Sequence, residues 1–301
     1  MVVNNYNYFL NFNNISPDLV IRIGQKPVSK ILCEKLNEWN DCTILIDECG
    51  RFNDDCNLVL IQDIESAVKL IKSKVNPVDP EWKDKVIELD SKIKNSIIKS
   101  HLDSWFEGTI AKSCFDSLSD GDSFFIGNSM PIRDVDMFVL TSEKKIYTYS
   151  NRGASGIDGI VSSALGVASK SGGRTLLLIG DLSFYHDMNG LLASRHGARL
   201  TIVVINNGGG GIFSFLPIAK IDKENFKEFW TTNTGLDLKN VATLYECQYV
   251  KVKNLPNLKE NIQNSFTVDG IKIIEIQTKI DENVSLHEKF MEKVAKEISN
   301  Y

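Results

Sequence analysis

The chain has 301 residues, 43% of them hydrophobic and 24% charged, with a formal net charge of -5. That length admits one large domain or two of ordinary size, and the composition is that of a folded globular protein. An acidic balance argues against nucleic acid as the main partner, because phosphate contacts need clustered Lys and Arg; runs such as KLIKSK and KVKN read as solvated faces. No apolar run in the sequence is long enough to span a membrane. The start, MVVNNYNYFLNFNN, has no basic n-region, cleavage site or Arg/Ser bias. The expected location is therefore cytoplasmic, or the plastid stroma in an alga. The cysteines Cys33, Cys42, Cys49, Cys56, Cys114 and Cys247 form no CxxC pair and have no histidine beside them. They are expected to be reduced, mostly buried thiols rather than zinc ligands.

In chain order, DLVIRIG reads as a strand, VSKILCEKLNEW as a helix, TILID and LVLIQ as strands and DIESAVKLIKS as a helix. Continuously apolar strands alternating with helices indicate a parallel sheet covered on both faces. VNPVDP then interrupts the pattern, and Asp79-Pro80 supplies an N-cap and a first helical turn. Trp82, Val86, Leu89, Ile93, Ile97 and Leu102 follow at helical spacing, predicting a long amphipathic helix packed along a neighbouring domain. The boundary is placed near residue 78, giving domains of 1–78 and 79–301.

From about residue 121 a second α/β unit is expected, with strands in DSFFIGN, KIYTYSN, RTLLLIG, LTIVVIN, CQYVKV and IKIIEI. Helices fit at 131–140, 158–170, 184–196, 237–246 and 256–266, with a last one at 282–299. The fold class is α/β, an open parallel sheet with helices on both faces, preceded by a partial α/β domain.

Four of these strands end in unusual turns: IGNSMPIRD, YSNRGASGIDG, LIGDLS and INNGGGG. Open parallel sheets bind ligands at the carboxyl ends of their strands, so four such turns make one site. The interval from Asp181 to Asn207 accommodates one helix and one strand, which brings a carboxylate and an amide oxygen onto neighbouring strands. With a carbonyl from the glycine run they form an incomplete oxygen shell, which suits magnesium completed by diphosphate oxygens and water. Amides at 208–211 and around Leu182 and Ser183 are expected to approach a phosphate closely. His186 has no Ser or Asp partner in its local pattern and is expected to pack beneath the site.

The GD turn, one crossover and the Asn pair resemble the thiamine-diphosphate fingerprint. GNSMPIRDVD, SNRGASGIDGIVSSALGVA, GDLSFYHDMNGLL and INNGGGGIFSFLP together resemble one family in particular, the 2-succinyl-5-enolpyruvyl-6-hydroxy-3-cyclohexene-1-carboxylate synthases (MenD). VIRIGQKPVSK upstream and ENVSLH near the end fit as well, so the resemblance runs from about residue 18 to the C-terminus. It implies a thiamine-diphosphate-binding (PP) fold over 79–301, preceded by part of the family's transhydrogenase-like central domain.

The same resemblance implies thiamine diphosphate and magnesium (or manganese) as cofactors. Asp181 and Asn207 would be the metal ligands, with the carbonyl of Gly209 as the third. Gly180, Leu182 and Ser183 would border the cofactor, and Ile157 matches the apolar wedge that holds it bent. Ser129, Arg133 and Arg152 match residues facing the substrates, as does Lys30 of the central domain. Ile212, Phe213 and Leu216 match an apolar wall beside the reacting carbon. The implied reaction is decarboxylation of 2-oxoglutarate and 1,4-addition of the succinyl unit to isochorismate, in menaquinone or phylloquinone biosynthesis. Both substrates carry carboxylates, which suits arginine forks.

Two departures stand out. Gly208 occupies a position where family members often carry Asn or Asp, and the family's N-terminal pyrimidine-binding domain, with its glutamate, has no counterpart here. The expected partner is such a domain, within a homo-oligomeric complete enzyme. Two other readings stay open: another thiamine-diphosphate 2-oxo acid carboligase or decarboxylase, and an inactive truncated cofactor-binding fragment.

Overall fold

Strands that are apolar on both sides need cover on both faces, and this chain builds two such layered units. The computed structural model describes residues 3–10, 15–50, 56–99, 104–221 and 223–298. One unit comprises Met1–Ser100 with Met291–Tyr301, the other His101–Phe290.

The first unit opens with a short helix, α1 (Tyr6–Phe9), then β1 (Val20–Ile23), α2 (Lys30–Glu38), β2 (Thr43–Ile46), β3 (Leu58–Leu60), α3 (Ile64–Lys72) and α4 (Pro80–Lys99). Its three strands pair in parallel in the order β1-β2-β3, with Ile21 opposite Ile44 and Leu45 opposite Val59. Central β2 buries Leu45 and Ile46, while edge strand β1 leaves Ile21 and Ile23 exposed. Ile46, Ala67 and Ile71 form a small core against Leu19, Ile44 and Leu60. Helix α2 starts where the Ser29 hydroxyl accepts the Leu32 amide at 3.1 Å, and α3 where Asp63 accepts the Ser66 amide at 2.8 Å. Such side-chain caps satisfy amides that a helix start leaves unpaired.

Asp79 caps α4 as its sequence predicts, accepting the Glu81 amide at 3.0 Å. Leu89 and Ile93 are buried, whereas Trp82 is exposed. Within its own unit α4 packs on α1, and Asp90 accepts the Asn4 and Asn5 amides at 3.1 and 2.9 Å. Leu102, assigned to this helix from its spacing, lies outside the described residues.

The second unit begins with α5 (Glu107–Asp116), followed by β4 (Ser123–Ile126), α6 (Met130–Phe138), β5 (Tyr147–Tyr149), α7 (Ile160–Lys170), β6 (Thr175–Gly180), α8 (Asp181–Asp187) and β7 (Leu200–Asn206). A run of short turns follows, then α9 (Lys223–Phe226), α10 (Leu238–Leu244), β8 (Gln248–Val252), α11 (Leu255–Ser265) and β9 (Ile271–Gln277); α12 (Ile280–Ile298) starts in this unit, and its residues from Met291 on are counted with the first. All six expected strands are present, in one parallel sheet of order β5-β4-β6-β7-β9-β8. Alternate residues feed opposite faces. Leu177, Ile179, Ile202 and Val204 join Ile160, Ala164 and Val241 on one side, while Leu176, Leu178, Val203 and Ile205 join Ile110, Leu258 and Ile262 on the other. The expected open parallel sheet with helices on both faces is the fold found.

Helix α5 has no counterpart in the sequence reading. It buries Glu107, Gly108, Thr109, Ile110, Ala111, Ser113 and Cys114, so it carries no one-sided apolar stripe. A Cβ on Gly108 would lie 2.5 Å from the Phe138 ring, which explains the glycine in mid-helix. The helix expected at 184–196 is split: α8 begins at Asp181, and Met188–His196 tightens into 3-10 turns. There Asp187 accepts the Ser162 amide at 2.6 Å, and a Cβ on Gly190 would meet the Ser162 hydroxyl at 2.5 Å. This close approach to α7 draws the helix in.

No disulfide links the six cysteines among the described residues, and only Cys114 is fully buried; Cys49 is exposed and the others are half-buried. The expectation of mostly buried thiols therefore fails. Cys114 belongs to one core cluster and Cys247 packs against the other. Among the described residues, no helix is long and apolar enough to cross a membrane.

Candidate functional site

The chain leaves β4 for β5 on one side and returns to β6 on the other, so the strand order reverses between β4 and β6. Turns after neighbouring strands diverge at such a point and leave a crevice beyond their carboxyl ends. Here the crevice is a cleft of about 260 Å³. It collects twelve of the fourteen residues singled out from the sequence: Ser129, Arg133, Arg152, Ile157, Gly180, Asp181, Leu182, Ser183, Asn207, Gly209, Ile212 and Phe213. Leu216 stands outside the cleft lining and is 40% exposed. Lys30 lies in the first unit, at the start of α2, with its ammonium 3.7 Å from Glu34. His186 is exposed on the last turn of α8, 5.5 Å from the Tyr185 ring, and not packed beneath the site as expected.

At the floor, Asp181 is 5% exposed. One carboxylate oxygen accepts the Leu182 amide at 2.9 Å and the other the Gly208 amide at 3.0 Å. Burial pushes its carboxyl up to about 6, against those amide hydrogen bonds. No Lys, Arg or His among the described residues lies within ion-pair distance of it. Asn207 Oδ1 accepts the Gly209 amide at 3.2 Å. A carboxylate, an amide oxygen and a carbonyl are hard donors with a single charge, so they fit a magnesium-type cation that shares its remaining positions with phosphate oxygens. No group of three or more His, Cys, Asp or Glu that could hold a metal occurs among the described residues.

The glycine run earns its composition from packing rather than from open approach. Gly209 has φ +132, and a Cβ there would lie 2.0 Å from the Thr231 carbonyl. On Gly210 it would lie 2.9 Å from the Trp230 carbonyl. The amides of this run have protein acceptors: Gly208 donates to Asp181, Gly209 to Asn207, Gly210 to the Thr231 carbonyl and Gly211 to the Gly209 carbonyl. The run thus shapes the floor and offers carbonyls.

One wall is cationic. Arg133, on the first turn of α6, donates to the Ser129 carbonyl at 2.6 Å, and Arg152 donates to Asn128 Oδ1 at 2.7 Å. Burial, and then the charge of Arg152, holds Arg133 below the usual guanidinium range. Neither arginine has an ion pair with a carboxylate among the described residues. Ser129 sits at φ 72, a conformation that costs a non-glycine residue about 1–3 kcal/mol. Asn128 is buried and braces this wall, donating to the carbonyls of Asn151 and Gly156 at 2.9 and 2.6 Å. The apolar lining includes Ile157, Ile212 and Phe213, the last edge-on to Trp230 at 5.3 Å.

Behind the floor lies a polar cluster that sequence reading missed. Glu107, 1% exposed, lines the cleft and accepts from Asn207 Nδ2 and Thr278 Oγ1, both at 2.9 Å. Burial, reinforced by the Asp134 charge, pushes its carboxyl up to about 7. Asp134 accepts from His287 Nε2 at 2.8 Å, and its second oxygen is buried with no hydrogen bond. His287 Nδ1 lies 2.8 Å from the Asn283 carbonyl, so both ring nitrogens face acceptors and the doubly protonated ring satisfies both. The rings of Phe106, Phe138 and Phe215 surround that imidazole at 5.3–5.4 Å. Asp134, Asn283 and His287 stand within the quoted motifs IRDVD and ENVSLH, which was the available signal; Glu107 stands in none.

Comparison with known proteins agrees with this geometry. Residues 137–276 match the family described as thiamine pyrophosphate enzyme, C-terminal TPP binding domain, a stretch that includes most of the cleft-forming strands. Along its length the chain is 38% identical to the 2-succinyl-5-enolpyruvyl-6-hydroxy-3-cyclohexene-1-carboxylate synthase of Bacillus cytotoxicus, covering 100% of this chain and 53% of that protein. It is 36% identical to the synthase of the same name from Geobacillus thermodenitrificans (96% and 50%) and 38% identical to that from Listeria welshimeri (98% and 53%). The resemblance carried by the motifs is thus to the C-terminal portion of this synthase family and extends over the whole chain. The chain spans about half the length of the curated relatives it matches.

Proposed function

We propose that this chain provides the diphosphate-binding side of a thiamine-diphosphate- and magnesium-dependent synthase that decarboxylates 2-oxoglutarate and adds the succinyl unit to isochorismate. The observation that carries the reading is the joint presence, in one cleft, of the Asp181–Asn207 floor and two guanidinium groups without an ion-paired carboxylate among the described residues.

Bound thiamine diphosphate would supply the electron sink that decarboxylation of a 2-oxo acid requires. Asp181, Asn207 and the Gly209 carbonyl would hold the metal that carries its diphosphate. Ile157 would press on its middle. Arg133 and Arg152 would hold substrate carboxylates in fixed orientation, their mutual repulsion relieved by the anion between them. Ile212 and Phe213 would exclude water from the reacting carbon, and an apolar wall would favour decarboxylation, in which neutral carbon dioxide leaves and the electron pair of the broken bond is taken up by that sink. We assign residues 79–301 to this diphosphate-binding role and 1–78 to part of a central domain, which would bring Lys30 toward the substrates. A pyrimidine-binding domain, in a homo-oligomeric enzyme, would complete the site.

The test is a calorimetric titration of thiamine diphosphate into the 301-residue chain with and without Mg2+. It is paired with an assay of 2-oxoglutarate-dependent consumption of isochorismate when the pyrimidine-binding half of a relative is added. Magnesium-dependent binding together with succinyl transfer supports the reading. Binding with turnover of pyruvate instead would favour another carboligase, and no binding would overturn the reading.

A further inference from the structure

The Asn pair after β7 is held by two buried carboxylates. Asn206 Nδ2 donates to Glu275 at 3.0 Å, and Asn207 Nδ2 donates to Glu107 at 2.9 Å. In each pair the carboxyl oxygen is the acceptor, and for Glu107 the same Oε1 also accepts from Thr278, so the nitrogen end of the amide turns toward it. For Asn207 this turns Oδ1 away from Glu107, toward the Gly209 amide at 3.2 Å. Glu275 has a reason of its own to be buried, a 3.0 Å ion pair with Lys251 and a hydrogen bond from Tyr249. Glu107 has no such cation at contact distance among the described residues, although it is 1% exposed. Its Oε1 receives Asn207 and Thr278 together, and its backbone amide donates to Asn283 Oδ1 at 3.1 Å, so the carboxylate is fixed from two sides. A buried charge kept without a counter-ion is expensive unless it serves an arrangement.

We propose that Glu107 is a positioning residue for the floor of the cleft: it locks the Asn207 amide with Oδ1 presented to the cation and Nδ2 turned away. The inference rests on the reading of Asp181 and Asn207 as metal ligands. Without Glu107, the amide can rotate and present either end, and a nitrogen aimed at a cation repels it. Supports that fix a ligand's orientation change metal affinity by about 10–100-fold when removed.

The experiment uses the whole 301-residue chain with Mn2+ as the probe and thiamine diphosphate present. Free Mn2+ is read by electron paramagnetic resonance, with thermal unfolding measured alongside. Glu107→Leu is expected to weaken Mn2+ binding by about 10–100-fold. Glu107→Gln, whose carbonyl can still accept from Asn207 and Thr278, is expected to bind as the native chain does. In an Asn207→Ala background, Glu107→Leu is expected to add nothing, because the group it orients is gone. Thr278→Val keeps the carboxylate but removes its second hydrogen bond; it is expected to cause a smaller loss and serves if Glu107→Leu does not fold. Native-like Mn2+ binding in both Glu107→Leu and Thr278→Val would overturn the proposal, as would equal losses in the Leu and Gln variants or additivity with Asn207→Ala. A native chain that binds no Mn2+ with thiamine diphosphate would instead overturn the ligand reading beneath it.

Discussion

Asp181, at the end of β6, accepts the amide of Gly208, beyond the end of β7, at 3.0 Å. The two residues are joined by a crossover through α8, and the bond closes that crossover at the rim of the cleft. It also holds the charged and the neutral oxygens of the floor on adjacent strands, since Leu178 and Val203 pair in register below it.

That arrangement predicts unequal consequences for the two side-chain ligands. At an effective dielectric of about 20, a unit charge at about 4 Å contributes roughly 4 kcal/mol per unit of opposing charge. A neutral hydrogen-bonding group contributes about 1 kcal/mol net. Asp181→Asn is therefore expected to weaken Mg2+-dependent binding of thiamine diphosphate by about a hundredfold or more, well beyond the effect of Asn207→Ala. Calorimetry on both variants checks this. Equal, small effects would remove Asp181 and Asn207 from the metal site.

Arg133 and Arg152 should be separable from the cofactor. Replacing either with Ala is expected to leave thiamine diphosphate affinity nearly unchanged and to lower kcat/KM, each lost charge-assisted pair costing about 1.5–3 kcal/mol. Lys should rescue only in part, because an ammonium cannot reproduce the planar fork. Kinetics with a complemented enzyme, alongside cofactor titration, distinguish the two losses; full rescue by Lys would argue against carboxylate recognition.

Three buried groups give the chain a pH-dependent stability of known sign. Burial raises Asp181 from 3.8 to about 6, and burial with the Asp134 charge raises Glu107 from 4.5 to about 7. For His287 burial acts downward, but the Asp134 carboxylate outweighs it and holds the ring above its ordinary 6.5. All three groups hold protons more tightly folded than unfolded, so the native state binds more protons and stability falls as pH rises. The two acids weaken the fold progressively from about pH 4 to about pH 7. The His287 contribution is complete below its unfolded pKa and is lost as pH climbs through its higher native value. Thermal unfolding of the chain alone should therefore give a higher Tm near about pH 5 than near about pH 8, and Asp181→Asn should flatten the acidic part of that slope. An increase in Tm over the same interval would contradict the assignment.

The cleft residues described above would grip the diphosphate end of the cofactor. The family resemblance assigns the aminopyrimidine end to a glutamate in a separate domain. The 301-residue chain assayed alone is thus expected to show no isochorismate consumption, with turnover appearing when a pyrimidine-binding domain is supplied. Robust turnover by the chain alone would show that its own residues suffice for the reaction.

Much of this was legible in one dimension. Strand runs such as TLLLIG and LTIVVIN announce buried parallel strands because their side chains must satisfy two apolar faces, and that requirement is local. The turns after them carry residues that no strand or helix needs, so Asp181 and Asn207 could be singled out from spacing alone, whereas Arg133 and Arg152 were reached only through the family resemblance. Helix α5 was not legible, because a helix buried on nearly every side has no stripe to betray it.

Nor was the cluster of Glu107, Asp134 and His287. Glu107 meets Asn207 across 100 positions, and His287 meets Asp134 across 153. Sequence by itself determined which segments become strands and which turns gather at the cleft, since backbone conformation and hydrophobic period are set by near neighbours. Only the tertiary structure decided which buried polar groups face one another. That choice follows from strand order and from the need of each desolvated carboxylate, amide and imidazole for a partner, wherever along the chain it lies.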